Sequence, residues 1–158
     1  MKKNIYYILT LLTLTVVACK NDSKLNIDKQ NAELVFPRGE KITNANFVGT
    51  AYLQPLIDAD SLNSNSVGSV TFEAGARSKW HTHPAGQILL AIDGVGYYQE
   101  KGKPKQILRK GDAIKCPADI PHWHGASADT AFVQVAITRR EKGGTVWLEE
   151  VSDEEYHQ

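Results

Sequence analysis

From about Asn46 onward the chain is cut into short runs rich in β-branched and aromatic residues, each ended by turn-forming residues. The runs are Phe47 to Leu53, Ser69 to Phe72, Gln87 to Ile92, Gly96 to Gln99, Gln106 to Leu108, Ala113 to Cys116, Ala131 to Ile137 and Thr145 to Glu149. That spacing predicts an all-β sandwich or barrel. Glycine stands where reversals are expected, in Glu73-Ala74-Gly75-Ala76, Asp93-Gly94-Val95-Gly96, Lys101-Gly102-Lys103-Pro104, Lys110-Gly111-Asp112 and Lys142-Gly143-Gly144, because many tight turns need backbone angles that a side chain resists. Helix is scarce: one short turn is expected at Ser152 to Tyr156, with Ser152 as cap and Glu155 at the capping-box position.

The N-terminus reads as an export signal rather than as part of that fold. Lys2 and Lys3 precede an apolar run from Ile5 to Val17, short for a membrane span, which needs about 20 residues, but suited to a signal-peptide core. Val16-Val17-Ala18-Cys19 resembles the lipobox of bacterial lipoproteins. The resemblance implies cleavage after residue 18, a lipidated Cys19, and a membrane partner reached by the lipid anchor only, on a periplasm-facing or surface lipoprotein of the cell envelope. Lys20 to Glu33 are polar and cannot repay the entropy of folding. Residues 19–43 are therefore expected to form a lipidated N-terminus and flexible linker, with one folded domain at 44–158. With Cys19 acylated, Cys116 has no partner within the chain and is expected to be a buried filler. Equal numbers of basic and acidic residues, 18 of each, argue against a nucleic-acid partner.

Four of the five histidines fall in two pairs, His81-Thr82-His83 and His122-Trp123-His124. In a strand, residues two apart share a face and lie about 6.6 Å apart along the chain, so each pair projects two imidazoles into one space. That is how a β-scaffold builds a metal site. Pro84-Ala85-Gly86 reads as a tight turn, after which Gln87 can return its amide oxygen toward the first pair, while the second pair supplies a ligand from far along the chain. His157, in the polar tail, is not expected to take part. Trp80 and Trp123 are expected to be packing residues beside the histidines.

Gly75-x5-His81-x-His83-x3-Gln87-x6-Gly94 resembles the first cupin motif, with Gln87 in place of its usual glutamate. Gly111-x5-Pro117-x-Asp119-x2-His122 resembles the second, with Asp119 at its usual glycine and Ala126 at its usual asparagine. The resemblance implies a small double-stranded β-helix jelly roll, the cupin barrel, with metal ligands His81, His83, Gln87 and His122. A narrower likeness runs from about Asn44 to Tyr156 through Phe47-x-Gly49-Thr50, Val70-Thr71-Phe72-x2-Gly75-Ala76-Arg77, Trp80-His81-Thr82-His83-Pro84-x-Gly86-Gln87, His122-Trp123-His124-Gly125-Ala126 and Val151-x-Asp153-Glu154-x-Tyr156. These segments look like the bacterial manganese cupins that include hydroxynitrile lyases, a branch in which the glutamine ligand is the rule. Related lyases have a histidine at the position of Gln134, so Gln134 enters the catalytic set without that histidine's acid/base capacity. The likeness also implies a homodimer or homotetramer.

His124, two residues from His122, should face the same cavity and is the candidate general base. Alternation turns Leu89 and Ala91 inward, and the face bearing Phe132, Gln134, Ala136 and Thr138 is the expected pocket, with Val70 and Phe72 as an apolar wall. Three neutral imidazoles and a neutral amide would leave a divalent ion's charge uncompensated, making it a stronger Lewis acid. Mn(II) is favoured, with Fe(II), Zn(II) and Ni(II) open. The expected reaction is carbon–carbon cleavage of a small-molecule cyanohydrin with His124 as base. A metal-dependent dioxygenase and a non-catalytic ligand-binding lipoprotein are the open alternatives.

Overall fold

The computed structural model describes residues 34–158, so the segment expected to be an export signal, and Cys19, lie outside the described residues. The described chain folds into twelve strands and one helical turn: β1 Glu40–Lys41, β2 Phe47–Val48, β3 Ala51–Ile57, β4 Asn65–Phe72, β5 Arg77–Ser78, β6 His81–Thr82, β7 Gln87–Glu100, β8 Gln106–Arg109, β9 Ala113–Cys116, β10 His122–Ala126, β11 Phe132–Arg139, β12 Val146–Trp147 and α1 Asp153–His157. The all-β class is as the runs predicted. β1 lies ahead of the expected domain start at 44 and pairs with β3, Glu40 opposite Leu53. Arg38, earlier still, forms an ion pair with Glu73.

Every pairing is antiparallel, and two curled sheets share one long strand. The first half of β7 pairs with β11 and β9, and β11 leads on through β4 and β3 to β1. The second half of β7 pairs with β8 and β10. On its other edge β10 meets β5 and β6, which in turn carry β2 and β12.

The reversal expected at Asp93 to Gly96 is not there. β7 runs through it, crossing from one sheet to the other. Its register against β11 shifts between Val133 and Gln134, which face Asp93 and Ala91, so Ile92 is the extra residue of a bulge. Gly94 takes φ 76°, and a Cβ there would stand 1.9 Å from the Ala131 carbonyl oxygen. Gly96 lies under the Phe132 ring, whose atoms would come within 2.4 Å of an added Cβ. These glycines bend a strand rather than reverse it.

Side chains of the two inner faces fill the space between the sheets, with Phe72, Leu89, Tyr98 and Phe132 at its centre. The pleat turns Trp123 to the face opposite His122 and His124, where it packs with Trp80, Val151 and Tyr156. The helical turn α1 closes this second cluster. Ser152 and Glu155 form the predicted capping box, Arg77 donates to the Val151 carbonyl at 2.9 Å and to Asp153 at 2.6 Å, and the Tyr156 hydroxyl donates to the Ala126 carbonyl at 2.8 Å.

Gly94→Ala should lower unfolding free energy by about 3 kcal/mol or more, combining a backbone clash with an unfavourable φ. Gly102, at φ 79° with open space around its Cβ position, supplies the contrast: Gly102→Ala should cost only about 1–2 kcal/mol. Urea unfolding of both variants measures the difference.

Candidate metal centre

The site begins with strand register. β6 and β10 run antiparallel with His81 directly opposite His122, which brings their ring centroids to 4.4 Å. His83 follows two residues on, with ring centroids 5.0 Å from His81 and 5.5 Å from His122. The His83 carbonyl accepts from the Gly86 N–H and from the Asp119 N–H, each at 3.0 Å. The first bond closes the predicted Pro84-Ala85-Gly86 turn; the second ties the loop before β10 to it. Asp119 has φ 58°, the left-handed region where glycine is easiest, which explains why the second motif ordinarily carries glycine there.

Backbone carbonyls fix the tautomers. His81 Nδ1 is 2.8 Å from the Lys79 carbonyl oxygen, and His122 Nδ1 is 2.8 Å from that of Ile120. A carbonyl only accepts, so the hydrogens sit on Nδ1 and each Nε2 keeps its lone pair. His83 Nε2 and His122 Nε2 are buried without a hydrogen-bond partner. One ring nitrogen from each of His81, His83 and His122 lies within 4.8 Å of the others. Buried, converging, unpartnered imidazole nitrogens are what a divalent ion requires, so this cluster fits a metal.

Gln87 opens β7 opposite Thr138. Its Nε2 donates to Thr138 Oγ1 at 2.9 Å, and its Oε1 faces the Cys116 thiol at 3.9 Å. Cys116 is a buried free thiol, pushed up to about 12 by burial and by the charge of Glu100, against a bond from Tyr98. It stays protonated.

His124 is buried across the barrel from β11. Its Nδ1 lies 3.0 Å from Gln134 Nε2, its backbone N–H donates to Ser78 Oγ at 3.2 Å, and Phe72 stands edge-on to its ring at 5.9 Å. His124 Nε2 and Gln134 Oε1 have no partner. Turning the amide over would set Oε1 against an Nδ1–H and free the Nε2 lone pair, so Gln134 can support either tautomer.

All four imidazoles are held neutral. Burial is the main cause throughout, strengthened for His81, His83 and His124 by neighbouring histidines. His83 is pushed down to about 3, with Arg140 adding to the effect. An opening of about 280 Å³ leads to the cluster. His81, His83, Gln87, His124, Val70 and Thr138 line it. His122 and Gln134 lie fully buried. Phe72, Leu89 and Phe132, expected as pocket walls, belong to the core instead.

Three contributors were not foreseen. Trp147 pairs with His81 across β12 and β6 and covers its ring at 4.9 Å. Arg140 and Thr145 flank the expected Lys142-Gly143-Gly144 turn after β11, Thr145 as the first residue of a run expected to be a strand, and neither was expected at the site. His157 is exposed.

His81→Ala should abolish metal retention, measured by elemental analysis, whereas His124→Ala should keep it. Equal loss in both would place His124 among the ligands. Metal-free protein should also lose stability as pH falls from 6.5 toward 3. In that window the unfolded chain takes up protons that His83 refuses, so each such histidine contributes a slope of up to about 1.4 kcal/mol per pH unit. Urea titrations at stepped pH measure it; a flat profile would contradict the buried neutral cluster.

Comparison with known proteins gives the cluster its setting. The family described as Cupin domain matches residues 68–138, which include both histidine pairs. The chain is 41% identical over 111 residues to an (R)-mandelonitrile lyase from Granulicella tundricola, covering 70% of this chain and 85% of that protein. A cupin-like protein from Thermotoga maritima is 41% identical in a superposition with TM-score 0.76, covering 79% of this chain and 96% of that one. The DMSP lyase DddQ from Ruegeria pomeroyi, at 21% identity, TM-score 0.56 and coverage of 90% and 73%, shares the fold. With the histidine pairs, the curled antiparallel sheets and these relatives, the chain belongs to the cupins.

Proposed function

We propose that the protein is a metal-dependent lyase that breaks a carbon–carbon bond next to a hydroxyl, with cyanohydrins as the substrate class. The observation that carries the reading is the convergence of three buried imidazoles beside a fourth, His124, that stands outside their cluster with its Nε2 unpartnered. The mandelonitrile lyase relative supports the choice of reaction. His81, His83 and His122 would hold the ion, with Gln87 Oε1 as a fourth donor and Mn(II) the favoured metal. A divalent ion held by neutral ligands alone supplies Lewis acidity toward a substrate oxygen.

The chain's own residues handle the proton. With Gln134 Oε1 accepting from Nδ1–H, His124 Nε2 takes the hydroxyl proton. The carbon–carbon bond to the nitrile then breaks, the carbonyl forms, and cyanide leaves with the electron pair. His124 returns the proton to cyanide, giving aldehyde and hydrogen cyanide. Thr138 keeps the Gln87 amide oriented by accepting from Nε2, and Val70 contributes an apolar surface that limits water. The reading also places the mature protein at the cell envelope, tethered through Cys19.

Mn(II)-loaded protein should convert mandelonitrile to benzaldehyde and cyanide in equal amounts without oxygen. His124→Ala should lower kcat about 10²-fold or more, and Gln134→Leu roughly tenfold with a displaced pH profile and unchanged metal content. Turnover that stops without oxygen would replace this reading with a dioxygenase.

A further inference from the structure

Arg140 lines the same opening as the histidine cluster. Its Nε donates to Ser66 Oγ at 2.8 Å and its Nη1 to Thr145 Oγ1 at 3.3 Å. Both partners are neutral hydroxyls. Among the described residues Arg140 forms no ion pair, and Asp58, which lines the same opening, forms none either, whereas the adjacent Arg139 is matched by Glu141 at 2.5 Å. Arg140 is exposed, and five N–H donors with two engaged leave three open to solvent and to a ligand.

The guanidinium is anchored to the walls of the site. Ser66 lies on β4 opposite Thr138, the residue that orients Gln87. Thr145 Oγ1 is also 3.4 Å from His83 Nδ1, so one side chain separates Arg140 from the cluster. Apolar groups share the entrance, with Leu53, Ile57 and Trp147 partly exposed around it. A fixed cation beside an apolar opening matches a molecule with one anionic and one apolar part.

We propose that Arg140 is an anion-binding group of this pocket, and that the substrate is a small apolar molecule whose carboxylate lies several bonds from the reacting carbon. The planar fork of a guanidinium suits a carboxylate, and a lone arginine suits a monoanion better than a phosphate dianion. Thr145 stands between the guanidinium and His83, which sets the carboxylate apart from the carbon bearing the hydroxyl. The proposal rests on the cavity being the substrate site, and on the lyase reading only for which bond breaks.

The test compares kcat/KM for 4-carboxymandelonitrile and mandelonitrile. Wild-type protein should favour the carboxylate by about tenfold or more. Arg140→Gln should bring the ratio near one, Arg140→Lys should retain part of it, and Arg139→Gln, removing an adjacent charge, should leave it intact. A wild-type ratio near one, or a preference that survives Arg140→Gln, overturns the proposal. Calorimetric titration of 4-(hydroxymethyl)benzoate and benzyl alcohol into Mn(II)-loaded protein separates the two readings. Arg140-dependent preference for the benzoate with no turnover of either nitrile would uphold the anion site and refute the lyase; equal binding of both probes overturns the anion site even if the lyase is active.

Discussion

The antiparallel contact between β6 and β10 carries the site, because it sets His81 opposite His122 across a sequence separation no local motif could bridge. The His83 carbonyl reinforces it by accepting from both Gly86 and Asp119, one bond on each side of the joint. Two strands too short to be stable alone are thus locked by backbone hydrogen bonds, by β12 over His81, and by the long β7 that pairs with β10 behind them. A slip of β6 by one residue in that register would turn His81 to the face opposite His122. The second cluster, where α1 seats Tyr156 against Trp123, braces the same strands from outside.

Burying four neutral imidazoles is unfavourable for folding, and unpartnered nitrogens at His83 and His122 leave acceptors unmet, at about 1–3 kcal/mol each. A divalent ion bound at the cluster would relieve both penalties at once. Gln87, the proposed fourth ligand, carries no charge and would offset none of the ion's, while its amide donates to Thr138. The backbone leaves two tautomers free, that of His83, whose Nδ1 faces the Thr145 hydroxyl, and that of His124, whose Nδ1 faces Gln134; of these two only His124 stands outside the three-histidine cluster. That difference is the structural basis for the proposed separation of ligand from base.

Much of this was legible from local pattern. The period-two spacing of the histidines, the short β-branched runs and the Ser152–Glu155 capping box are nearest-neighbour chemistry, and they appear in the structure where the residues indicate. What local pattern misread was long-range. Asp93 to Gly96 has the composition of a turn, yet the Ala131 carbonyl and the Phe132 ring, remote in sequence, fill the space where side chains would go and make these glycines a bend. Phe72, Leu89 and Phe132 face inward as alternation requires, but depth along the barrel, which alternation does not encode, puts them in the core. Arg140 escaped notice because it is as exposed as its charged surroundings suggest, and only the fold reveals that it stands against Ser66 and Thr145 at the mouth of the site.

Pulsed electron paramagnetic resonance of Mn(II)-loaded protein bears most directly on the convergence of these side chains. Nitrogen couplings from three imidazoles on a single ion per chain, falling to two in His122→Ala, are the expected result. A manganese signal without imidazole coupling, or one unchanged by that substitution, would show that the buried histidines are not a metal centre.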